Sequence, residues 1–486
     1  MQAKQATFQA PRPEVKIYDP KSDKAKLYFS TASKKVLREY SFRTSVDDVK
    51  GQFSLTFYPD EYDGSDPIFD QINELDIVEI YESKNHFKQY YEGSMLSNKV
   101  QPTFTGVVRS IKYASQVGGN NVTRRLVVSG HSIAGLAADF TLNMDTSAQV
   151  LTDTQAAQDY LSKQLTISLL EKGNKLLKLK EIIEKIWEAF VDISKHTQYK
   201  KLSNPEVYEI LVKWAGKFFD IDKDITFNYP LGCVFDMKTT QGFFDIVERL
   251  IPYQVYEKFA FMDRSTGEMR IKIRECPFDA DKWAEIEYKD PKVKSGEIPI
   301  RLVKALDIEQ NDKEVYTVFF PYLNGYPIQE QKALVLAKQN QYSKKSPFLV
   351  QDDEKYSRYG YRPLFVHFIG YSKDEGKDDT STEEKLQKLT QRLMDWYGNI
   401  ELMHHGQITM STDLSMDMPQ AGEKISFIGG EFYVSAAEHR WAYKGNPETV
   451  LTVTRGAEYQ NGKFKNKLKY WGRKKAGMGI QCQALI

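Results

Sequence analysis

The chain has 486 residues and balances 67 lysines and arginines against 66 acids, a net charge of +1. That charge excludes a global electrostatic draw toward nucleic acid or an acidic membrane, and the length suits about two to four domains. Three scattered cysteines, Cys233, Cys276 and Cys482, lack metal spacing and are odd in number, which argues against a disulfide framework.

No apolar run reaches the roughly 18 residues of a membrane span, so no membrane insertion is expected. The opening MQAKQATFQAPRP lacks the apolar core of a signal peptide, so synthesis in the cytoplasm is expected.

Residues 1–14 are polar, carry two prolines and read as an arm. Strands are predicted at 15–18, 26–31, 36–45 and 51–58; the last, GQFSLTFY, alternates Phe53, Leu55 and Phe57 against Gln52, Ser54 and Thr56. Residues 76–82 (DIVEIYE), 104–115 (FTGVVRSIKYAS), a turn at 117–121 (VGGNN) and a β-branched return at 123–130 form a meander. With so many short strands and no capped edge, 15–145 reads as a closed β-barrel.

The middle, 146–298, reads as mainly helical. Helical spacing marks 152–165 and 176–190, Asn204-Pro205 starts a helix to about residue 219, and 240–250 (TQGFFDIVERL) is another, stopped by Pro252. A hairpin follows, 253–262 and 268–275 across Arg264-Ser265-Thr266-Gly267.

A second β-barrel is expected over 299–325 and 400–460. It starts with strands 301–310 and 314–322 joined at Asn311-Asp312. An insertion at 326–399 holds YSRYGYRPLFV, a charged linker at 374–379 and an amphipathic helix. Ser381 and Glu384 have capping-box spacing there, and Leu386, Leu389, Leu393, Trp396 and Tyr397 form its apolar stripe.

Residues 407–411 return to the sheet. Residues 420–456 (QAGEKISFIGGEFYVSAAEHRWAYKGNPETVLTVTRG) give a three-strand meander with Gly429-Gly430 as its tight turn. In its long strand Phe432, Val434, Ala436 and Glu438 share one face and Tyr433, Ser435, Ala437 and His439 the other. The two meanders lie roughly 330 residues apart, too far for a solenoid period but suited to two tandem domains of one design. A basic tail, 461–486, carries Lys463, Lys465, Lys467, Lys469, Arg473, Lys474 and Lys475 with no acid among them. The fold class is therefore α+β: two tandem antiparallel β-barrels, a helical middle and an inserted helix.

The order of these features resembles phage tail baseplate hub proteins, the central hub of contractile tails, and the N-terminal hub part of type VI secretion spike proteins. The resemblance rests on a strand pair, then YGYR, a helix ending in Trp396-Tyr397, GEKI, FYVSAAEH and VLTVTRG. In the first half it rests on FSLTFYP, DIVEIYE, FTGVVRSIKY and LVVSGHS.

It spans most of 15–458 and is carried by order rather than by invariant chemistry. It implies tube-like barrels and a homotrimeric adaptor between a six-fold tail tube and a three-fold spike, lining a central channel. Implied partners are a tail tube protein, a separate spike chain and other baseplate proteins. DNA or other cargo would pass without specific binding, and the particle would be a virion tail or an extracellular injection particle.

No catalytic, metal or cofactor site is predicted. His404 and His405 are adjacent and would point to opposite faces of a strand, and they read as exposed loop residues before Gly406. His131 in Ser-Gly-His-Ser lacks the Gly-x-Ser-x-Gly turn, and His439 reads as a core-edge residue. Asp352-Asp353 and Asp378-Asp379 read as solvated linker acids, and there is no phosphate loop.

Tyr359, Tyr361 and Arg362 are a candidate interface, Arg362 suited to fork onto a carboxylate while the tyrosines pack flat. The basic tail suits an acidic partner or a solubilising role. Two other classes remain: a tail-associated cell-wall hydrolase, which needs a carboxylate pair in a cleft, and a receptor-binding tail protein.

Overall fold

The computed structural model describes residues 12–19, 24–30, 36–58, 68–83, 102–118, 121–135, 141–143, 219–221, 240–242, 254–289, 296–323, 350–368, 382–412 and 417–468. The helices predicted over 152–165 and 176–190, nearly all of the one after Pro205, the linker 374–379 and the tail beyond 468 lie outside these residues.

The first half supplies β1 (Arg12–Tyr18), β2 (Ala25–Ser30), β3 (Leu37–Ser45), β4 (Asp48–Phe57), a one-turn helix α1 (Ile68–Gln71), β5 (Ile77–Ser83), β6 (Phe104–Gly118) and β7 (Asn121–Ser132). The middle adds β8 (Thr141–Asn143), β9 (Phe219–Ile221), β10 (Thr240–Gly242), β11 (Tyr256–Asp263), β12 (Glu268–Glu275) and α2 (Ala280–Glu285).

The second half holds β13 (Val303–Glu309), β14 (Val318–Leu323), β15 (Val350–Gln351), α3 (Asp353–Tyr359), β16 (Pro363–Phe368) and α4 (Thr382–Tyr397). It ends with β17 (His404–Ser411), β18 (Lys424–Phe427), β19 (Gly430–Ala442), β20 (Glu448–Gln460) and β21 (Lys463–Lys467).

One 13-stranded sheet runs β13-β17-β20-β19-β3-β4-β7-β6-β5-β1-β2, with β18 added on β19 and β21 on β20. Its described neighbours all pair antiparallel. No closed barrel occurs among the described residues: the path ends at β13 and β2, and the two halves open onto each other through β3 and β19.

Those halves repeat one design. In the first, β3, β4, β5, β6 and β7 fold into the spatial order β3-β4-β7-β6-β5. In the second, β13, β17, β18, β19 and β20 fold into β13-β17-β20-β19-β18. The irregularities repeat as well. A register shift lies between Leu37 and Glu39 in β3 and between Val303 and Ala305 in β13. Another lies between Val108 and Ser110 in β6 and between Val434 and Ala436 in β19. A bulge bends its strand and raises the local twist, so shared bulges give both units one curvature.

The bulge in β19 also changes its faces. Phe432, Val434 and Ala437 enter one core cluster with Ile408, Met410, Leu451 and Val453, whereas strict alternation puts Ala437 opposite Phe432. Tyr433 packs on the other face with Trp283 and Trp396. Both faces of the second unit are thus covered, the far one by α2 and α4.

The tight turn before β19 is Ile428-Gly429, at φ 53° and 82°, one residue earlier than its glycine pair suggests. Two positive φ angles suit a hairpin. Gly430 is already in the ladder opposite Phe427, and a Cβ on it would meet a Leu468 methyl at 2.3 Å.

Other sequence expectations change for local reasons. Arg12 to Glu14 belong to β1, so the arm is shorter than 1–14. Thr240–Gly242 is a strand against β8, not the start of a helix. Phe219 lies in β9, parallel to β12, rather than ending a helix.

The run after Asn311 becomes a strand only at Val318, where apolar residues become continuous. It pairs with β15 and, in parallel, with β16 instead of with β13, as suits a strand covered on both faces. Asp352 is not a solvated linker acid. It caps α3, its Oδ1 accepting from the Lys355 backbone N–H at 3.1 Å.

The hairpin β11–β12 is tied to the second unit. Arg264 forks onto Glu423, NH1 to Oε1 at 2.5 Å and NH2 to Oε2 at 3.0 Å, and also donates to the Met418 carbonyl. Gln420 exchanges two hydrogen bonds with the Met262 backbone, at 2.8 and 3.0 Å.

Candidate assembly interface

The junction of the units is built from β3 and β19, paired from Ala436 opposite Ser45 to Ala442 opposite Glu39. The same edge of β19 carries β18 opposite Gly430 to Tyr433, so β18 and β3 sit end to end along one strand. Side chains match across the pairing. Tyr40 stacks on Trp441 at 5.7 Å, Phe42 lies on His439 at 4.5 Å, and Glu438 faces Arg43.

A polar cluster lies beneath this stack. The Tyr40 hydroxyl donates to Glu82 Oε1 at 2.6 Å, and Glu82 Oε2 is 3.9 Å from His439 Nδ1. Burial raises the Glu82 carboxyl to about 7, with the Tyr40 hydrogen bond opposing it. Burial and then the charge of Arg264 lower His439 to about 3, so the ring is neutral and its contact with Glu82 is not an ion pair. Thr449 Oγ1 lies 3.3 Å from His439 Nδ1 and 3.0 Å from Thr412 Oγ1.

A second cluster surrounds a cavity of about 760 Å³ lined by Asp47, Glu257, Cys276, Trp396, Tyr433 and Arg455 among others. Arg455 holds a positive φ of 56° and lies 3.8 Å over the Trp396 ring. Glu257 accepts from Tyr433 at 2.5 Å and from Arg274 Nε at 2.9 Å. Burial first, then Glu257 and Glu314, raise Asp47. Burial and then Glu257 push the Cys276 thiol well above its ordinary value, so it is held protonated and is a poor nucleophile.

Arg362 finds no carboxylate among the described contacts. Its NH1 donates to the Asp312 carbonyl at 2.9 Å and its guanidinium sits 5.6 Å from the Tyr359 ring, while Tyr361 is 44% exposed. Lys463, Lys465 and Lys467 are not in a loose tail: they alternate outward along β21, paired with β20. Lys469, Arg473, Lys474 and Lys475 lie outside the described residues.

His404 and His405 open β17 instead of a loop. His404 is buried, and His405 reaches Asn311 at 2.6 Å. His131 is buried, its Nε2 accepting from Arg109 at 3.1 Å. Among the described residues no group of His, Cys, Asp and Glu is arranged to hold a metal ion.

Of the junction residues, His439 was read from sequence as a core-edge residue, while Tyr40, Phe42 and Glu82 were not singled out. Glu82 ends the predicted strand 76–82, and nothing local shows that a residue of β19 covers it.

No family model and no curated protein matches the chain. Solved structures similar to it include the 43 kDa tail protein of prophage MuSo2 from Shewanella oneidensis, at TM-score 0.45 and 11% identity over 92% of this chain and 98% of that one. A tail protein from Neisseria meningitidis MC58 has TM-score 0.45 and 12% identity, over 91% of this chain and 96% of that chain. The Francisella PdpA–VgrG complex, half-lidded, has TM-score 0.42 and 10% identity, over 96% of this chain and 61% of that chain. Phage tail proteins and secretion spike proteins are the two classes whose order of motifs the sequence resembles.

Proposed function

We propose that this protein is a structural baseplate hub of a contractile tail or tail-like injection particle. It acts as a homotrimeric adaptor between a six-fold tail tube and a three-fold central spike and lines the channel between them. The observation that carries this reading is the internal repeat: two units with one strand order and the same two bulges in one continuous sheet.

A trimer can face a six-fold ring only if each chain presents the ring's unit twice. The spike is then a separate chain, and tube and other baseplate proteins bind the two ends. Cargo such as DNA passes without specific recognition. The lysines of β21 offer an acidic neighbour a charged edge, and Tyr359, Tyr361 and Arg362 offer a further contact.

Light scattering after size exclusion, with negative-stain averages of the same peak, tests the reading. A trimer showing a ring with a central hole is expected. A monomer that binds no co-encoded tail or spike protein overturns it.

One observation favours the hydrolase alternative: the cavity places Asp47, raised by burial, near Glu257, which is held by Arg274. Cell-wall cleavage lost on Asp47→Asn would establish it, and inert protein removes it.

A further inference from the structure

The cavity of about 760 Å³ lies where three parts of the chain meet. The turn between β3 and β4 supplies Asp47, the hairpin β11–β12 supplies Glu257, and β20 supplies Arg455. The turn is fixed to the second unit, because the Val46 N–H donates to the Ser435 carbonyl at 2.9 Å. A cavity of this volume is in the range of small-molecule sites.

Arg455 is 9% exposed, and among the described residues no hydrogen bond or ion pair holds its guanidinium. The group lies against the rings of Trp396, Tyr397 and Tyr433, which line the same cavity. A buried guanidinium is ordinarily paired, and its planar fork suits a carboxylate held by two parallel hydrogen bonds. Glu257 does not serve it: that carboxylate already accepts from Tyr433 and from Arg274.

The complementary group is Asp47. Its backbone N–H donates to Ser45 Oγ at 3.3 Å, but its carboxylate has neither a hydrogen bond nor an ion pair among the described residues. The adjacent Asp48 is engaged, accepting from the Lys50 N–H at 2.9 Å and from Gln52 Nε2 at 3.3 Å. The Asp47 side chain reaches water yet is partly desolvated. That burial, then the charges of Glu257 and Glu314, raise its carboxyl, while Arg455 and Arg43 lower it. Lys50 and Lys258 also line the cavity and have partners of their own.

We propose that this cavity binds a small zwitterion, an α-amino acid or a short peptide, with its carboxylate forked onto Arg455 and its ammonium on Asp47. A bare anion would meet like charge from Asp47, Glu257 and Glu314, and a bare cation would meet Arg455; a zwitterion satisfies both ends. The assignment rests on neither the hub nor the hydrolase reading.

The test uses the full chain. Titration calorimetry at millimolar ligand with each standard L-amino acid, and with alanine, dialanine and trialanine, is expected to find a binder that also raises the melting temperature. The N-acetyl and C-terminal amide derivatives of that binder each lose one charge and should bind about 10- to 100-fold more weakly. In Asp47→Asn the unmodified binder should weaken by the same factor, and its N-acetyl derivative, with no ammonium, should bind no more weakly than to the parent protein. In Arg455→Gln the amide derivative should be the indifferent one. Should that variant fail to fold, the amide on the parent protein reads the same pole.

Binding that survives both acetylation and Asp47→Asn removes Asp47 from the site and overturns the proposal. Acetate or methylamine binding as tightly as the zwitterion reduces the site to a single pole and overturns it as well, and so does a failure of every probe to bind. Each of these outcomes leaves the trimer and its central hole, read by light scattering and negative stain, to be decided separately.

Discussion

His439 lies flat against Phe42, ring centroids 4.5 Å apart and planes 9° from parallel, across the pairing that joins the two halves of the chain. Phe42 also stacks on Phe104 of β6 at 5.1 Å, so one ring connects the joining strand to the cores of both units. Phe42→Ala is expected to cost about 3–5 kcal/mol, the range for truncating a buried phenylalanine. Urea unfolding should show the midpoint falling. If the halves unfold separately in the variant, the single transition should split in two.

Glu82 and His439 give the junction a pH dependence with opposed signs. Glu82 rises from 4.5 to about 7 on folding, so its contribution is fully present below pH 4.5 and is lost as pH rises through about 7. Its side chain is only 5% exposed, and the shift corresponds to about 3 kcal/mol. His439 falls from 6.5 to about 3, so its contribution is present above pH 6.5 and is lost as pH falls toward 3.

Between pH 4.5 and 6.5 the two oppose each other. Glu82→Gln keeps an acceptor for Tyr40 and removes one titration. The stability of this variant relative to the parent should rise by about 3 kcal/mol from pH 4.5 to pH 7.5. A difference independent of pH would show that Glu82 is not buried as described.

Arg455 sits over Trp396 at 3.8 Å, with Tyr397 at 5.7 Å and Tyr433 at 6.0 Å. Its Nε has no hydrogen-bond partner among the described residues, and its favourable contacts are with the rings and, through its charge, with Asp47. Arg455→Lys keeps the charge and loses the flat guanidinium, and should cost about 1–2 kcal/mol with a change in tryptophan emission. Arg455→Ala should cost more than the lysine variant and red-shift the emission, as water reaches the cavity beside Trp396. A lysine variant as stable as the parent, with only the alanine variant destabilised, would place the contribution in the charge and not in the stacking.

Local pattern reached much of this fold. Alternation in β4, the β-branched run in β20 and the glycine turns were legible, because strand and turn chemistry act over a few residues. The repeat was legible as two similar meanders, but its topology was not. The pairing of β3 with β19 joins residues nearly the whole chain apart, and no local signal encodes it.

The bulge at Val434/Ala436 was hidden because it inserts a residue without changing composition, and it moved Ala437 to the opposite face. The turn at Ile428-Gly429 was misplaced because the sequence offers two glycines, and packing against Leu468 claims the second. The alternating lysines of β21 read as a solvated tail because half of a strand on the edge of a sheet faces water. Glu82 and His439 were invisible as a cluster because neither strand alone reveals which residues the other half covers.

Gly422 ties the hairpin β11–β12 to the second unit, and its side-chain position is already occupied. Its φ is 84°, and a Cβ there would lie 2.3 Å from Phe259 Cζ. Its carbonyl accepts from Arg274 NH2 at 2.7 Å, on the guanidinium that holds Glu257. Gly422→Ala should therefore cost roughly 2–4 kcal/mol, the sum of a left-handed backbone penalty and a steric clash with a buried ring.

The two parts separate by design. Phe259→Leu removes the Cζ that the new methyl would meet, so adding it to Gly422→Ala should recover the steric share and leave roughly 1–2 kcal/mol of backbone strain. Thermal unfolding of the four proteins measures the coupling. Strict additivity would mean that Phe259 does not oppose the methyl, and that the close approach of hairpin to sheet at Gly422 is not what fixes their packing.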